Sequence, residues 1–271
     1  MKRCLKLILI FYFYQYFATL LCGGAYMLLN GTLKFPDASS PHYVTFIMTA
    51  QVVFSMFVIF HLILGKYVSL NRQTLAYYNS IKVVVSSIIL VVGMGVWNNY
   101  LCELLELQNG MEELMGVMMT HPMGILSAVI LAPIAEELLF RGAIQGYLLR
   151  NFGNPVWAIS FSALLFGVVH GNLEQLFFAS VLGLALGWVY YRTGSLVPSI
   201  LMHFVNNALS VLSFHYMGDV DEVIAYLGLS TATLIAVLGV GITIACVIYM
   251  SKNLPIRAEK WYEDRNLESK V

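Results

Sequence analysis

The sequence predicts an all-α polytopic membrane protein: a bundle of about eight transmembrane helices that forms a single membrane domain over residues 1–271. Hydrophobic residues make up 59% of the chain and charged residues only 11%. Soluble domains carry about 25% charged residues, so this chain has too few to cover a water-facing surface. Its hydrophobic residues are gathered into long runs with few charges, which is the pattern of membrane-spanning helices.

Eight such runs predict the membrane spans in chain order. They lie at about 5–29, 44–64, 81–100, 122–150, 155–172, 173–191, 196–217 and 229–250. The first run follows the short basic leader and is too long for the apolar part of a signal peptide. No long linker and no internal repeat divides the sequence, which favours one domain followed by a polar cytoplasmic tail at 251–271.

Basic residues fall on alternate connections of this predicted bundle, and the opposite connections are mainly acidic. Because Lys and Arg favour the cytoplasmic side of a membrane, both termini are predicted to be cytoplasmic. The short basic leader indicates a bacterial plasma membrane. The net charge of zero gives no reason to expect a nucleic-acid partner, and the four scattered cysteines suggest neither a disulfide framework nor a cysteine metal site.

The fourth predicted span carries charged residues within an apolar helix. Glu136, Glu137 and Arg141 lie among Leu, Ile, Phe and Ala, where each ionisable group costs roughly 2.5–3.5 kcal/mol on insertion scales. Glu137 and Arg141 are four residues apart and can pair on one helix face. Glu136 is rotated about 100° from Glu137 and needs another partner. The spacing predicts a structural ion pair beside a carboxylate that is free for chemistry.

Two further polar groups interrupt the predicted spans. Phe166 and His170 end the fifth span, while His203 and Asn207 share one face of the seventh. Counted along straight helices from the cytoplasmic side, Glu136 lies about 21 Å deep, His203 about 10 Å and His170 about 22 Å. These levels do not coincide unless the fourth span protrudes, helices tilt or the fifth helix is broken.

The runs EELLFRG, FGVVH and GSLVPSILMHFVNN, in this order on successive spans, resemble the CPBP (Abi) family. This family includes the type II CAAX prenyl endopeptidases and the bacteriocin-processing or self-immunity proteins. The resemblance covers about residues 122–210, the predicted catalytic core. It implies an intramembrane endopeptidase with a catalytic cavity open to the cytosol and a membrane-associated peptide or protein as substrate.

The resemblance also implies roles for individual residues. Glu136 matches the family's catalytic glutamate, and His170 matches the histidine that helps it to activate a water. His203 and Asn207 match the pair that stabilises the oxyanion. This chemistry agrees with general requirements, because peptide hydrolysis needs a base and preorganised donors for the tetrahedral intermediate. The remaining motif positions are interpreted as structural: Glu137, Arg141 and Phe166.

A zinc mechanism stays open at this stage. Glu136, His170 and His203 could form a two-histidine-plus-carboxylate set with an open position for water. The metal-free glutamate mechanism is preferred, but the two sets of residues overlap. Two other functional classes also remain. Buried Glu and His residues are typical of proton- or ion-coupled transporters, and a non-catalytic immunity protein could use the same cavity for binding.

Overall fold

The computed structural model describes residues 2–37, 41–68, 70, 81–107, 112–217 and 223–254. The polar tail predicted at 251–271 therefore lies mostly outside the described residues. Within them the chain is helical and contains no strand. The helices are α1 Lys2–Asn30, α2 Pro41–Leu64, α3 Ile81–Leu104, α4 Glu112–Thr120, a composite helix α5 Pro122–Phe152, α6 Pro155–Val168, α7 Leu173–Thr193, α8 Leu196–Met217, α9 Val223–Leu227 and α10 Leu229–Asn253.

Among the described residues, seven helices are long and apolar enough to cross a membrane: α1, α2, α3, α5, α7, α8 and α10. The prediction of an all-α, multi-pass membrane bundle is confirmed. The fifth predicted span is α6, an apolar helix of 14 residues. At the standard rise it is about 21 Å long, which is shorter than the roughly 30 Å hydrocarbon core.

Helices α6 and α7 form one hairpin with defined caps. The Asn154 side chain accepts a hydrogen bond from the Trp157 amide at the start of α6, with Pro155 in the first turn. Asn172 caps α7 in the same way by accepting from the Gln175 amide at 2.7 Å. Gly171 supplies the positive φ of 79° that the turn between the helices requires. His170 therefore lies in the turn of the hairpin.

Helix α5 is not a regular α-helix. It is π-helical at Leu126–Leu131 and at Leu138–Gln145, and α-helical in the three segments around them. Such π segments are rare and occur frequently at functional sites. Glu136 and Glu137 end the central α-helical segment, and Arg141 lies in the second π segment. The charged motif thus spans the junction between an α-helical segment and a π-helical segment.

The bundle has two apolar cores. The first joins α1, α2 and α5 and includes Leu7, Phe11, Leu62 and Phe140, while the second joins α3, α7 and α8 around residues such as Leu90, Leu186 and Met202. Helix α10 packs along α3 and otherwise presents apolar side chains outward. Long apolar side chains exposed on α1 and α10 are what a lipid-facing surface requires.

The difference in predicted depth between the three motifs disappears in the structure. Helix α5 has 31 residues and is roughly 46 Å long, so it extends beyond a hydrocarbon core of roughly 30 Å. Counting Glu136 from the end of α5 therefore overestimates its depth. His170 lies at the end of the short helix α6, and His203 lies seven residues after the start of α8. A protruding fourth span and a short fifth helix bring the motifs to one level.

Gly167, within the second motif, sets the distance between α6 and α7. A Cβ added there would collide with Ser180 Oγ and lie 2.5 Å from the Leu176 carbonyl oxygen on α7. We expect Gly167→Ala to destabilise the protein by about 1–3 kcal/mol, because a backbone atom cannot yield as a side chain can. The melting temperature in detergent measures this loss. The matched control is Gly241→Ala, where the added Cβ meets nothing within 4 Å; equal melting of the two variants would contradict the prediction.

Candidate functional site

The charges predicted to pair on α5 do form a buried pair. Arg141 Nε lies 3.3 Å from Glu137 Oε2, and neither side chain is exposed. Arg141 also donates from Nη2 to the Gly183 carbonyl on α7 at 3.4 Å, and its guanidinium carbon lies 4.6 Å from the centre of the Phe166 ring on α6. The arginine therefore connects three helices through an ion pair, a hydrogen bond and a cation–π contact.

His203 on α8 lies between the two glutamates. Its Nδ1 donates to Glu137 Oε1 at 3.2 Å, and its Nε2 lies 3.8 Å from Glu136 Oε2. The Glu136 side chain is 16% exposed, whereas Glu137 is completely buried. The structure thus places the two neighbouring carboxylates in different environments. Glu137 is held by Arg141 and His203, and Glu136 has one face open.

Phe166 connects the two histidines. Its ring is fully buried and packs edge-to-face with His203 at 5.4 Å and with His170 at 5.0 Å between ring centroids. His170 Nδ1 donates to the Phe166 carbonyl at 2.7 Å. Because Nδ1 carries the proton in that bond, a neutral His170 has its Nε2 lone pair available as an acceptor. In the described part of the chain, His170 reaches the carboxylate cluster through the Phe166 ring rather than by a direct hydrogen bond.

Asn207 is anchored to the first π segment of α5. Ala132 donates its N–H five residues back to Ser127, so in this register residue 133 should donate to the Ala128 carbonyl. Residue 133 is proline and has no N–H. Asn207 Nδ2 supplies the missing donor at 2.8 Å, while its Oδ1 accepts from Asn206 at 3.1 Å. In the part of the chain that the structure describes, the second amide hydrogen of Asn207 Nδ2 has no acceptor.

The residues of the predicted zinc set do not converge. Among the described residues, no group of three or more His, Cys, Asp or Glu side chains is arranged to hold a metal ion. His203 directs one ring nitrogen at each glutamate, and His170 gives Nδ1 to a backbone carbonyl. The arrangement of Glu136, His170 and His203 therefore does not fit the three-ligand zinc site.

Gln145 is part of this arrangement and was missed by the sequence reasoning. It is fully buried one turn after Arg141 and donates to the Gly187 carbonyl at 2.8 Å, as Arg141 donates to Gly183. The two donors and the two glycines are each four residues apart, so a ladder of two side-chain hydrogen bonds joins α5 to α7. The matching four-residue spacings were the available signal, since small residues four apart allow close helix approach.

A comparison with protein families matches the part of the chain that carries this cluster. Residues 117–209 match the family model described as type II CAAX prenyl endopeptidase Rce1-like. The matched segment contains all three motifs. The predicted family resemblance is confirmed. The matched residues are called the Rce1-like segment below.

Two curated relatives each match about a third of the chain. The chain is 30% identical over 101 residues to the Bacillus subtilis protein named "Putative membrane peptidase YdiL", which covers 37% of this chain and 41% of that protein. It is 33% identical over 89 residues to "UPF0177 protein YaiF" of Lactococcus lactis, covering 32% of this chain and 39% of that protein. The chain thus spans about two fifths of the length of these relatives. No solved structure matches it.

The buried pair in the Rce1-like segment predicts a strong dependence of stability on Arg141. Arg141→Met leaves the Glu137 carboxylate with the hydrogen bond from His203 but without its cation, and we expect a loss of roughly 3–5 kcal/mol because the buried charge is no longer paired. The double variant Glu137→Gln/Arg141→Met removes both charges and should recover most of this loss. Melting of detergent-purified protein measures both changes. The control Lys82→Met removes an exposed cation; if Arg141→Met melts like this control, the pair is not what stabilises the segment.

The anchoring of Asn207 predicts an energetic coupling with Pro133. Asn207→Ala leaves the Ala128 carbonyl without its donor, which should cost roughly 1–3 kcal/mol. In a Pro133→Ala background residue 133 has an N–H to offer that carbonyl, so the same substitution should cost less. The double-mutant cycle, measured by unfolding in detergent, isolates this coupling. An identical cost of Asn207→Ala in both backgrounds would rule out the backbone contact as the reason for the asparagine.

Proposed function

We propose that the chain is an intramembrane endopeptidase that hydrolyses a peptide bond in a membrane-associated peptide or protein. The observation that carries this proposal is the cluster in which His203 bridges a buried Glu137 and a partly exposed Glu136 within the Rce1-like segment. The names of the matching family and of the Bacillus subtilis relative both refer to peptidases. Substrates of the type implied by the resemblance are CAAX-like tails or bacteriocin-type peptides.

In the proposed mechanism Glu136 is the general base. Hydrolysis requires a base that can reach a water molecule, and of the two adjacent carboxylates only Glu136 is exposed. Glu136 removes a proton from the water, and the water oxygen attacks the carbonyl carbon of the scissile bond. The proton is then delivered to the amide nitrogen as the C–N bond breaks. Glu137 does not take part directly, because Arg141 and His203 hold both of its oxygens.

His203 and His170 support this base in different ways. The cluster contains two carboxylates and one guanidinium, which leaves one net negative charge. One proton shared between Glu136 and His203 neutralises this charge. A protonated His203 also offers an N–H for the oxyanion of the tetrahedral intermediate. His170 has its Nε2 lone pair free because Nδ1 is bound to the Phe166 carbonyl, and it is proposed to orient the attacking water.

Asn207 is proposed to complete the oxyanion site with its second amide hydrogen. The first hydrogen is bound to the Ala128 carbonyl, and the amide oxygen accepts from Asn206, so the amide group is fixed in orientation. A fixed donor needs no rearrangement when charge develops, which is the condition for effective electrostatic stabilisation. In this proposal one amide hydrogen of Asn207 binds the backbone of α5, and the other binds the oxyanion.

The hairpin of α6 and α7 keeps this proposal compatible with cytoplasmic termini. A hairpin returns the chain to the side on which it entered, whether or not its turn reaches the opposite face. The short length of α6 therefore leaves the predicted sidedness of both termini unchanged. We propose a bacterial plasma-membrane protein with its catalytic cavity on the cytoplasmic side, in agreement with the distribution of basic residues.

A proton-coupled transporter is the second candidate, because a Glu136–His203–Glu137 chain within a membrane bundle could also carry protons. Cleavage of a membrane-anchored peptide by the purified, reconstituted protein separates the two functions. An immunity protein that acts by binding alone would retain such peptides without cleaving them. The cleavage assay with mass-spectrometric detection of products is therefore the deciding experiment.

Glu136→Gln should lower peptide turnover about 10²–10⁴-fold, the usual contribution of a general base. The amide has nearly the same shape and cannot accept the proton from water, so expression and melting temperature should stay near wild type. Glu137→Gln is the matched control at the adjacent residue: it removes a carboxylate from the buried pair and should lower the melting temperature. Turnover of Glu136→Gln close to wild type would remove Glu136 from the role of base.

The same assay addresses metal dependence. We expect chelator to leave the turnover of wild-type protein unchanged, and elemental analysis to find no stoichiometric zinc in active preparations. Zinc that is lost together with activity, and that restores activity on return, would overturn the metal-free mechanism. It would leave the assignment as an endopeptidase intact.

A further inference from the structure

We propose that Asn206 is a positioning residue for the oxyanion site. It donates a hydrogen bond to the Asn207 amide, and thereby orients and polarises the second N–H group of that amide. This inference rests on the proposed function, because it concerns the donor that Asn207 offers to the tetrahedral intermediate. Asn206 contacts neither substrate nor water in this proposal and acts through Asn207.

The direction of the hydrogen bonds at Asn207 follows from the backbone of α5. The Ala128 carbonyl can only accept, so the Asn207 atom that lies 2.8 Å from it is the amide nitrogen Nδ2. The oxygen Oδ1 at the other end of the amide then faces Asn206, and this oxygen also can only accept. Asn206 Nδ2, which lies 3.1 Å away, is therefore the donor. The chain of donors runs from Asn206 through Asn207 to Ala128.

This chain holds the Asn207 amide at both ends. With its nitrogen alone anchored, the amide group could pivot about the bond to Ala128, and its second N–H would move with it. The hydrogen bond received at Oδ1 prevents this movement and also draws electron density towards the oxygen. Such polarisation strengthens each further bond in a hydrogen-bonded chain by about 10–30%. Asn206 therefore improves both the orientation and the strength of the donor offered to the oxyanion.

Asn206 differs from an asparagine that joins two helices. Asn98 on α3 is such a residue: it is fully buried, and its Nδ2 donates to the Phe178 carbonyl on α7 at 2.9 Å. Among the described residues, the Asn206 side chain makes its hydrogen bond to Asn207 on its own helix and none to another helix. A bond within one helix does not hold helices together. The alignment of Asn207 is therefore what the Asn206 amide contributes.

Helix α3 limits the space available to the Asn206 side chain. A Cβ added at Gly95 on α3 would lie 3.8 Å from Asn206 Oδ1, which is an ordinary van der Waals distance. A longer side chain at this position would meet the amide. Helix α3 ends at Leu104, before the Rce1-like segment begins at residue 117. The contact thus connects a helix outside the family match to the proposed oxyanion site.

The test is cleavage of a membrane-anchored peptide by the purified, reconstituted full-length protein, with kcat and KM measured separately. Asn206→Leu keeps an uncharged side chain of similar length and removes the donor. We expect kcat to fall about tenfold and KM to stay within about twofold, because the oxyanion exists only after the attack on the carbonyl. In an Asn207→Ala background the same substitution should change kcat less than about twofold, since the amide that it orients is absent.

Asn98→Leu is the matched control. It makes the same chemical change in an asparagine of the bundle that joins two helices. It should lower the melting temperature in detergent and leave kcat within about twofold of wild type, because a structural amide contributes to folding and not to the transition state.

Gly95 provides a second arm if Asn206→Leu does not fold. Gly95→Val places methyl groups against the Asn206 amide and should lower kcat about fivefold, whereas Gly95→Ala adds only a Cβ at contact distance and should leave kcat within about twofold. The loss caused by Gly95→Val should also disappear in the Asn207→Ala background. Equal losses from the two glycine substitutions would contradict the proposal.

The outcomes separate this inference from the proposed function. Equal kcat losses from Asn206→Leu in the wild-type and Asn207→Ala backgrounds would leave Asn206 with a structural role and overturn the inference. So would a wild-type kcat for Asn206→Leu when Asn207→Ala alone is slowed; the peptidase assignment would then stand. A wild-type protein that cleaves no peptide would overturn the proposed function and this inference with it.

Discussion

The ion pair between Glu137 and Arg141 is the interaction on which the rest of the site depends. Removing two charges from water costs several kcal/mol per ion, so such a pair persists only where further partners satisfy it. Here those partners come from each neighbouring helix: His203 from α8, the Gly183 carbonyl from α7 and the Phe166 ring from α6. The requirement to satisfy one buried pair therefore brings the three sequence motifs together. The geometry of the Glu136–His203–Glu137 cluster is a consequence of that requirement.

The second constraint is the irregular backbone of α5. Its π segments shift the register of the helix, and Pro133 leaves the Ala128 carbonyl without a helical donor, so within a membrane that group needs a partner from another helix. Asn207 serves the Ala128 carbonyl, and Ser162 on α6 donates to the Phe140 carbonyl at 2.9 Å. These two polar side chains, which lie in otherwise apolar helices, thus hydrogen-bond to backbone carbonyls of the neighbouring helix α5. They fix α6 and α8 against the helix that carries the proposed base.

The sequence predicted the helical class, the long spans and the Glu137–Arg141 pair, because hydrophobic run length and four-residue spacing follow directly from helix geometry. It also indicated that Glu136 needs a separate partner. It could not identify that partner as His203, since contacts between helices depend on tilt and protrusion. The sequence predicts a full span where the short α6 lies, because the apolar residues of α6 continue through the turn to His170. The π segments have no sequence signature beyond Pro133, and so the contact of Asn207 with Ala128 was not foreseen.

The fold places two adjacent glutamates in different environments. Glu136 and Glu137 have the same side chain and neighbouring positions, yet successive residues of a helix point about 100° apart. One carboxylate therefore faces the guanidinium in the interior, and the other faces the imidazole of His203 at a partly open surface. Exchanging their environments would require rotating α5, which its contacts through Arg141, Gln145 and Ala128 prevent. The reactivity proposed for Glu136 is thus set by the packing that holds Glu137.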